Sequence, residues 1–276
     1  MSHRKGGYFN MKNFAILASV VLILASVADA APTKRPTQRF SSVSNESATD
    51  VSESAIQGFV LTPYLQYVFL NPSTLNSFLS SAAQKADVNT SYRIGGTPGF
   101  GASADYYVLP NLAFGLRLEY FQSSTDAVTV KRGDKRSTVQ STLSAVPAYA
   151  TATFAAPVAP RFDVGTTFGM GVPLSYSYGT EVSGSSIEGT PNGTNSYSAT
   201  PMTWMLQGFG RFTVNDNMAI QLNAGYRRLV SSQFKANEAY GKTVKEGDLL
   251  QDEDSKTNVK IDASSFVTSF GLAVSF

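Results

Sequence analysis

Residues 266–276 read Phe-Val-Thr-Ser-Phe-Gly-Leu-Ala-Val-Ser-Phe, and their alternation constrains the fold more than any other stretch of the chain. Phe266, Thr268, Phe270, Leu272, Val274 and Phe276 share one face of an extended strand, and Val267, Ser269, Gly271, Ala273 and Ser275 share the other. A strand has a side-chain period of two, so this pattern predicts one bulky apolar face and one small or polar face. The segment closes on an aromatic residue. A barrel that pairs its last strand with its first inside a bilayer accounts for this better than a soluble domain does.

The same split recurs upstream. Leu112, Phe114, Leu116, Leu118 and Tyr120 oppose Ala113, Gly115, Arg117, Glu119 and Phe121. From Phe162 onward, Val164, Phe168, Met170, Val172, Leu174, Tyr176 and Tyr178 oppose Asp163, Gly165, Thr167, Gly169, Gly171, Ser175 and Ser177. Met218, Ile220, Leu222 and Tyr226 oppose Gln221, Asn223, Gly225 and Arg227; Phe59, Leu61, Leu65, Tyr67 and Phe69 oppose Val60, Thr62, Tyr64, Gln66 and Val68. A further strand sets Ile94, Phe100, Ala102 and Tyr106 against Arg93, Gly99, Ser103 and Asp105. The face of the strand near 138–155 is left open. A soluble barrel also alternates but buries its large apolar residues. An eight-strand interior is too narrow for so many Phe, Leu and Tyr, so the bulky face is expected to meet lipid. Aromatics at strand ends (Tyr67, Phe69, Tyr120, Phe162, Tyr176, Tyr178, Tyr226 and Phe276) suit interfacial girdles.

Short turns at Leu109-Pro110-Asn111, 156–160 and Val214-Asn215-Asp216-Asn217 alternate with long polar stretches at about 71–90, 122–137, 179–200 and 232–258. The pattern of strand, long loop, strand and short turn, four times over, predicts an all-β fold: an eight-stranded antiparallel transmembrane barrel over 58–276 with short periplasmic turns and long extracellular loops. Within the first long loop, Thr74–Lys85 has the spacing of a short helix, with Leu75, Phe78, Leu79 and Ala82 on one side.

At the other end, Arg4, Lys5 and Lys12 precede an apolar run from Phe14 to Ala28, which is short for a membrane-spanning helix. Ala28-Asp29-Ala30 has the form of a secretory cleavage site, so 1–30 reads as a removed leader, with Met11 an alternative start. Residues 31–57 are rich in Ser, Thr and Pro and read as a flexible periplasmic lead-in. The formal net charge of +2 resides in the leader, leaving the remainder neutral and without a basic stripe for nucleic acid.

The hairpin phrases Asn111-Leu-Ala-Phe-Gly-Leu-Arg-Leu-Glu-Tyr120 and Asn217-Met-Ala-Ile-Gln-Leu-Asn-Ala-Gly-Tyr226, with Phe276, resemble the OmpA/OmpX-type small outer-membrane β-barrel family of Gram-negative bacteria. The resemblance is architectural and covers about 58–276. It implies the bacterial outer membrane, a lipid and lipopolysaccharide environment, and Phe276 as a C-terminal insertion signal read by the barrel-insertion machinery. A monomer is expected. The peptidoglycan-binding domain that the family's larger members carry is not expected here.

Chemistry is sparse. The one His is His3 and there is no Cys, which removes His-based triads, thiol nucleophiles and His-ligated metal sites from the barrel. No nucleophile–base pair stands out, and no enzyme activity, cofactor or metal is expected. Seven inner-face charges remain: Arg93, Asp105, Arg117, Glu119, Asp163, Arg211 and Arg227. They read as a salt-bridged plug in preference to a selective lining, because eight strands leave little lumen. Arg132-Gly133-Asp134, flanked by Lys131, Lys135 and Arg136, reads as a solvated basic hairpin tip suited electrostatically to lipopolysaccharide phosphate, and Asp252-Glu253-Asp254 as a solvated acidic one. The functional expectation is a non-enzymatic surface barrel for envelope integrity or surface interaction through its loops. The alternative is a small porin-like passive channel; a soluble ligand-binding barrel is the third possibility.

Overall fold

In a computed structural model of the chain, the described residues are 58–85, 92–132, 134–184, 192–241, 244–251 and 256–276. The leader and lead-in expected over 1–57, and the acidic run at 252–254, lie outside them.

Eight long strands form the ring: β1 (Phe59–Leu70), β2 (Thr97–Leu109), β3 (Leu112–Ser124), β4 (Lys135–Ala159), β5 (Phe162–Gly184), β6 (Thr203–Asn215), β7 (Met218–Ser231) and β8 (Ser265–Ser275). Each pairs antiparallel with its sequence neighbours, and β8 returns to pair with β1 through Val60↔Ser275 to Leu70↔Ser265. Closure removes both sheet edges, which satisfies every strand's backbone groups without water. The three tight turns lie at one end, where Pro110-Asn111, Pro160-Arg161 and Asp216-Asn217 reverse the chain. Long connections occupy the other end.

Alternation sorts the side chains as the size argument requires. Leu65, Leu116, Leu174 and Leu222 are 60–70 % exposed in mid-strand, whereas Thr62, Tyr64, Gln66, Arg117, Glu119 and Thr167 on the opposite face are buried. Two aromatic zones border the apolar belt. Near the long-loop end, Tyr67 stacks edge-on against Phe69 (centroids 4.8 Å apart), Phe100 packs against Tyr120 (5.1 Å) and Trp204 against Tyr226 (5.8 Å). Near the turn end stand the exposed rings of Tyr106, Phe114, Phe154, Phe162 and Phe212. Along β5 the belt runs from Phe162 to Leu174, twelve steps, or about 40 Å of strand. At a tilt of 35–45° this spans about 30 Å, the thickness of a hydrocarbon core.

Two assignments change. Tyr176 and Tyr178 point inward, not into an interfacial girdle; both are buried. The cause is a β-bulge. Val146 pairs with Ser175 and Pro147 with Pro173, so Leu174 is an extra residue on β5 and the phase beyond it flips. Two facing prolines, neither able to donate to the ladder, mark the break. The open face of the fourth strand is also settled: Tyr149, Thr151, Thr153 and Ala155 point in, and Ala150 and Phe154 out.

Above the belt β4 and β5 continue together. Val128–Arg132 pairs with the top of β4, Gly193–Ser198 with the top of β5, and Lys235–Ala236 with 197–198, making a sheet that projects from the long-loop end. There the pattern inverts. Outward positions become polar (Gln122, Ser124, Thr142, Ser144, Ser177), and inward positions become apolar (Phe121, Leu143, Ala145, Tyr176, Tyr178). The helix of the first loop, α1 (Ser73–Lys85), seats Leu75 and Leu79 on this apolar layer with Val68, Leu70, Phe234, Leu250 and Ile261. Asn76 fastens it: its Nδ2 donates to the Ile94 carbonyl (3.0 Å), and the Ile94 N–H donates to its Oδ1 (2.8 Å).

Leu116→Arg is expected to lower folding stability in lipid vesicles by about 2–4 kcal/mol, because Leu116 lies mid-belt. Gln122→Arg, above the belt, should cost less than about 1 kcal/mol. Equal urea midpoints for the two variants would contradict the placement of the belt.

Candidate functional site

The polar middle of the lumen carries every buried charge among the described residues. Its upper layer comes from β1, β3, β7 and β8. Glu119 Oε1 accepts from Arg117 Nε (2.9 Å) and from Tyr64 OH (3.3 Å), and its Oε2 accepts from Arg227 Nη1 (2.7 Å). Arg227 Nη2 donates to Ser265 Oγ (3.0 Å). Each guanidinium also lies over a ring: Arg117 is 4.4 Å from the Tyr64 centroid and Arg227 4.3 Å from that of Phe121. Gly101 makes this layer possible, since a Cβ there would collide with the Tyr64 hydroxyl.

The lower layer joins β2, β5 and β6. Arg211 donates to Asp163 Oδ2 through Nε (3.1 Å) and Nη2 (2.8 Å), and through Nη1 to Tyr107 OH (2.7 Å). Asp105 sits between the layers, where its carboxylate accepts from Ser103 Oγ (2.9 Å) and Thr151 Oγ1 (3.3 Å). It borders a cavity of about 20 Å³ whose walls include Arg117 and Arg211. That is room for about one water.

Three arginines pair with two carboxylates, Glu119 and Asp163, and Asp105 lies beside them, so the formal charges of these six groups sum to zero. Neutrality matters here because an uncompensated ion in this setting costs several kcal/mol. Among the described residues, four buried polar atoms of the upper lumen have no protein hydrogen-bond partner: Gln66 Oε1, Gln207 Oε1, Arg117 Nη2 and Arg227 Nε. One carboxylate facing two guanidiniums leaves donors over.

Apolar groups shut both ends of this zone. Val60, Ala113, Ala155, Ala219, Ala273, Tyr107 and Phe209 fill the turn end. A Cβ at Gly165 would strike the Phe209 ring. The layer beneath α1 fills the other end.

Six of the seven charges singled out in the sequence, all but Arg93, lie in the lumen; five of them form the ion pairs and Asp105 stands beside them. Arg93 does not join them. Residues 92–96 have left the ladder, and Asn76 grips Ile94 so that Tyr92 and Ile94 enter the apolar cap and Arg93 faces solvent. Ile94, assigned to the lipid face, is correspondingly buried. The aromatic partners Tyr107 and Phe209 were not singled out, although Tyr107 shares its phase with Ser103 and Asp105. Phe276 is exposed. Among the described residues no group of His, Cys, Asp and Glu is placed to hold a metal ion.

No protein-family model matches the chain, and no curated protein matches it. Solved structures do. The outer membrane protein OprG of Pseudomonas aeruginosa aligns at 12 % identity with a TM-score of 0.44, covering 81 % of this chain and 98 % of that one. Neisserial surface protein A aligns at 13 % identity (TM-score 0.40; 80 % and 98 % covered). A major outer membrane protein of Thermus thermophilus aligns at 12 % identity (TM-score 0.39; 78 % and 98 % covered).

Glu119→Ala is expected to destabilise the barrel by about 3–5 kcal/mol, since it leaves two buried guanidiniums without their shared carboxylate. The midpoint of heat-modifiable gel migration in detergent reads this out. An unchanged midpoint would show that the network contributes nothing.

Proposed function

We propose that the chain is a non-enzymatic integral protein of a bacterial outer membrane, a closed barrel that contributes to envelope integrity or surface interaction by displaying its long loops. On this reading 1–30 is removed on export, 31–57 stays on the periplasmic side, and the barrel-insertion machinery reads Phe276. Lipid and lipopolysaccharide surround a monomer.

One observation carries the choice of a closed barrel over a channel. The lumen is filled along its length: apolar at the turn end, ionic and neutral in the middle, apolar again under α1. An ion crossing it would have to part buried pairs held at 2.7–3.1 Å and then enter a mainly apolar layer, which solvates an ion poorly. The cavity of about 20 Å³ does not form a path. Aromatic belts on both rims and the exposed apolar face support the membrane setting.

Planar-bilayer recordings of the refolded protein should show no steady conductance steps at moderate voltage, with heat-modifiable migration confirming the fold in the same sample. Stable, reproducible openings would instead favour the passive channel.

A further inference from the structure

An exposed arginine stands on the outer wall of the barrel, and the closed lumen does not use it. Arg228 follows Arg227 on β7, so it points outward where Arg227 points in. It lies opposite Trp204 of β6, and its carbonyl accepts from Thr203 Oγ1 (2.6 Å), which fixes the backbone there. Two residues below it on the same face is Tyr226, packed on Trp204 (5.8 Å) and paired across the ladder with Phe266, whose ring lies 6.0 Å from Phe69. An aromatic shelf drawn from β6, β7, β8 and β1 therefore runs beneath the guanidinium. Among the described residues no carboxylate pairs with Arg228. Asp262, on the same face, is turned to its own chain, where its Oδ1 accepts from the Ser264 N–H (2.9 Å).

Height says which anion this arginine meets. From Tyr226 to Arg228 is two steps of β7, or about 5 Å along the membrane normal at a tilt of about 35–45°. The guanidinium thus stands inside a headgroup layer about 5–8 Å thick, among lipid phosphates. The register of β7 runs unbroken from Arg227↔Ser265 to Ser231↔Ile261, so Ser264 faces Arg228. Lys260, four residues before Ser264 and in the same outward phase, is exposed about 10 Å further from the membrane. A phospholipid headgroup ends below that level, whereas a sugar headgroup reaches it. On the wall made by β3 and β4, the outward positions above the belt are Gln122, Ser124, Thr142 and Ser144, all uncharged. Attraction for a lipid phosphate is therefore confined to one side of the barrel.

We propose that this face of β6, β7 and β8 is a site for one phosphorylated saccharolipid of the outer leaflet. Arg228 takes a sugar phosphate through its planar fork of N–H donors, the ring shelf of Trp204, Tyr226 and Phe266 packs against the sugar and upper acyl carbons, and Lys260 meets an anionic sugar further out. The inference rests on the reading of the chain as an outer-membrane barrel with its long loops outward, and it names the side of the barrel on which lipopolysaccharide is held. Met202, which is 70 % exposed two residues from Trp204, gains apolar cover from the same lipid.

Trp204 is the one tryptophan of the chain, so its fluorescence reports on the site directly. The test titrates bisphosphorylated lipid A into the full chain refolded in non-ionic detergent. The wild-type protein should show a saturable change in Trp204 emission. Arg228→Gln should bind about tenfold more weakly, the scale of one lost charge-assisted contact, and Arg228→Lys should recover part of that loss. Arg93→Gln, which removes an exposed cation elsewhere on the rim, should match wild type. Lipid A stripped of its phosphates should bind about as weakly to wild type as intact lipid A binds to Arg228→Gln. Wild-type affinity in Arg228→Gln, or an equal response to the stripped lipid, would overturn the site. Phosphatidylglycerol that binds as tightly as lipid A would overturn the assignment to a saccharolipid. Lys260→Gln should weaken binding of lipopolysaccharide that keeps its inner sugars, and an unchanged affinity would remove Lys260 from the site. Heat-modifiable migration of each protein checks the barrel separately, so a correctly folded barrel whose Trp204 ignores lipid A defeats this inference alone.

Discussion

A change of solvent along the strands governs this structure. Between the two aromatic zones the exterior meets hydrocarbon, and beyond the long-loop rim it meets water. Backbone alternation does not change at that level, but the chemistry on each face does. Leu116 and Leu118 look outward where Arg117 and Glu119 look in; a few residues on, Gln122 and Ser124 look outward where Phe121 and Ala145 look in. One continuous sheet thus has a polar core where its surround is apolar and an apolar core where its surround is aqueous. Both arrangements follow from the same rule, that apolar surface leaves water and buried polar groups find partners.

Filling the lumen follows from that inversion. A narrow barrel in lipid has an inner face that neither lipid nor bulk water can solvate, so its polar groups must solvate one another. The three arginines and three carboxylates do so with no net charge, and Tyr64, Tyr107 and Phe121 supply ring faces and hydroxyls that bare ion pairs would lack. The glycines at 101 and 165 leave the space these rings occupy. Above, α1 and the returning loops close the mouth as a small water-soluble core would, by burying Leu75, Leu79, Phe234 and Ile261.

Much of this was legible in residue order. Alternation sorted six of the eight strands into a bulky face and a small or polar one, and the spacing of turns and long loops gave the strand number; a period of two depends only on local backbone geometry. It failed where that geometry broke. The bulge at Leu174 turned Tyr176 and Tyr178 inward, and nothing in the run from Phe168 to Tyr178 announces an extra residue except the proline at 173 facing another at 147. Arg93 was misplaced for a related reason: residues 92–96 keep an extended look but belong to the cap, held there by a contact with Asn76 eighteen residues earlier.

Sequence alone determined the fold class, the bilayer-facing surface and the identity of the charges available to the interior, since each depends on composition and short-range periodicity. Tertiary structure decided which of those charges touch, that the mouth is shut, and that β4 and β5 carry a sheet far beyond the membrane. Those outcomes depend on register and on contacts between residues as distant as Glu119 and Arg227, where a shift of one position exchanges inside for outside.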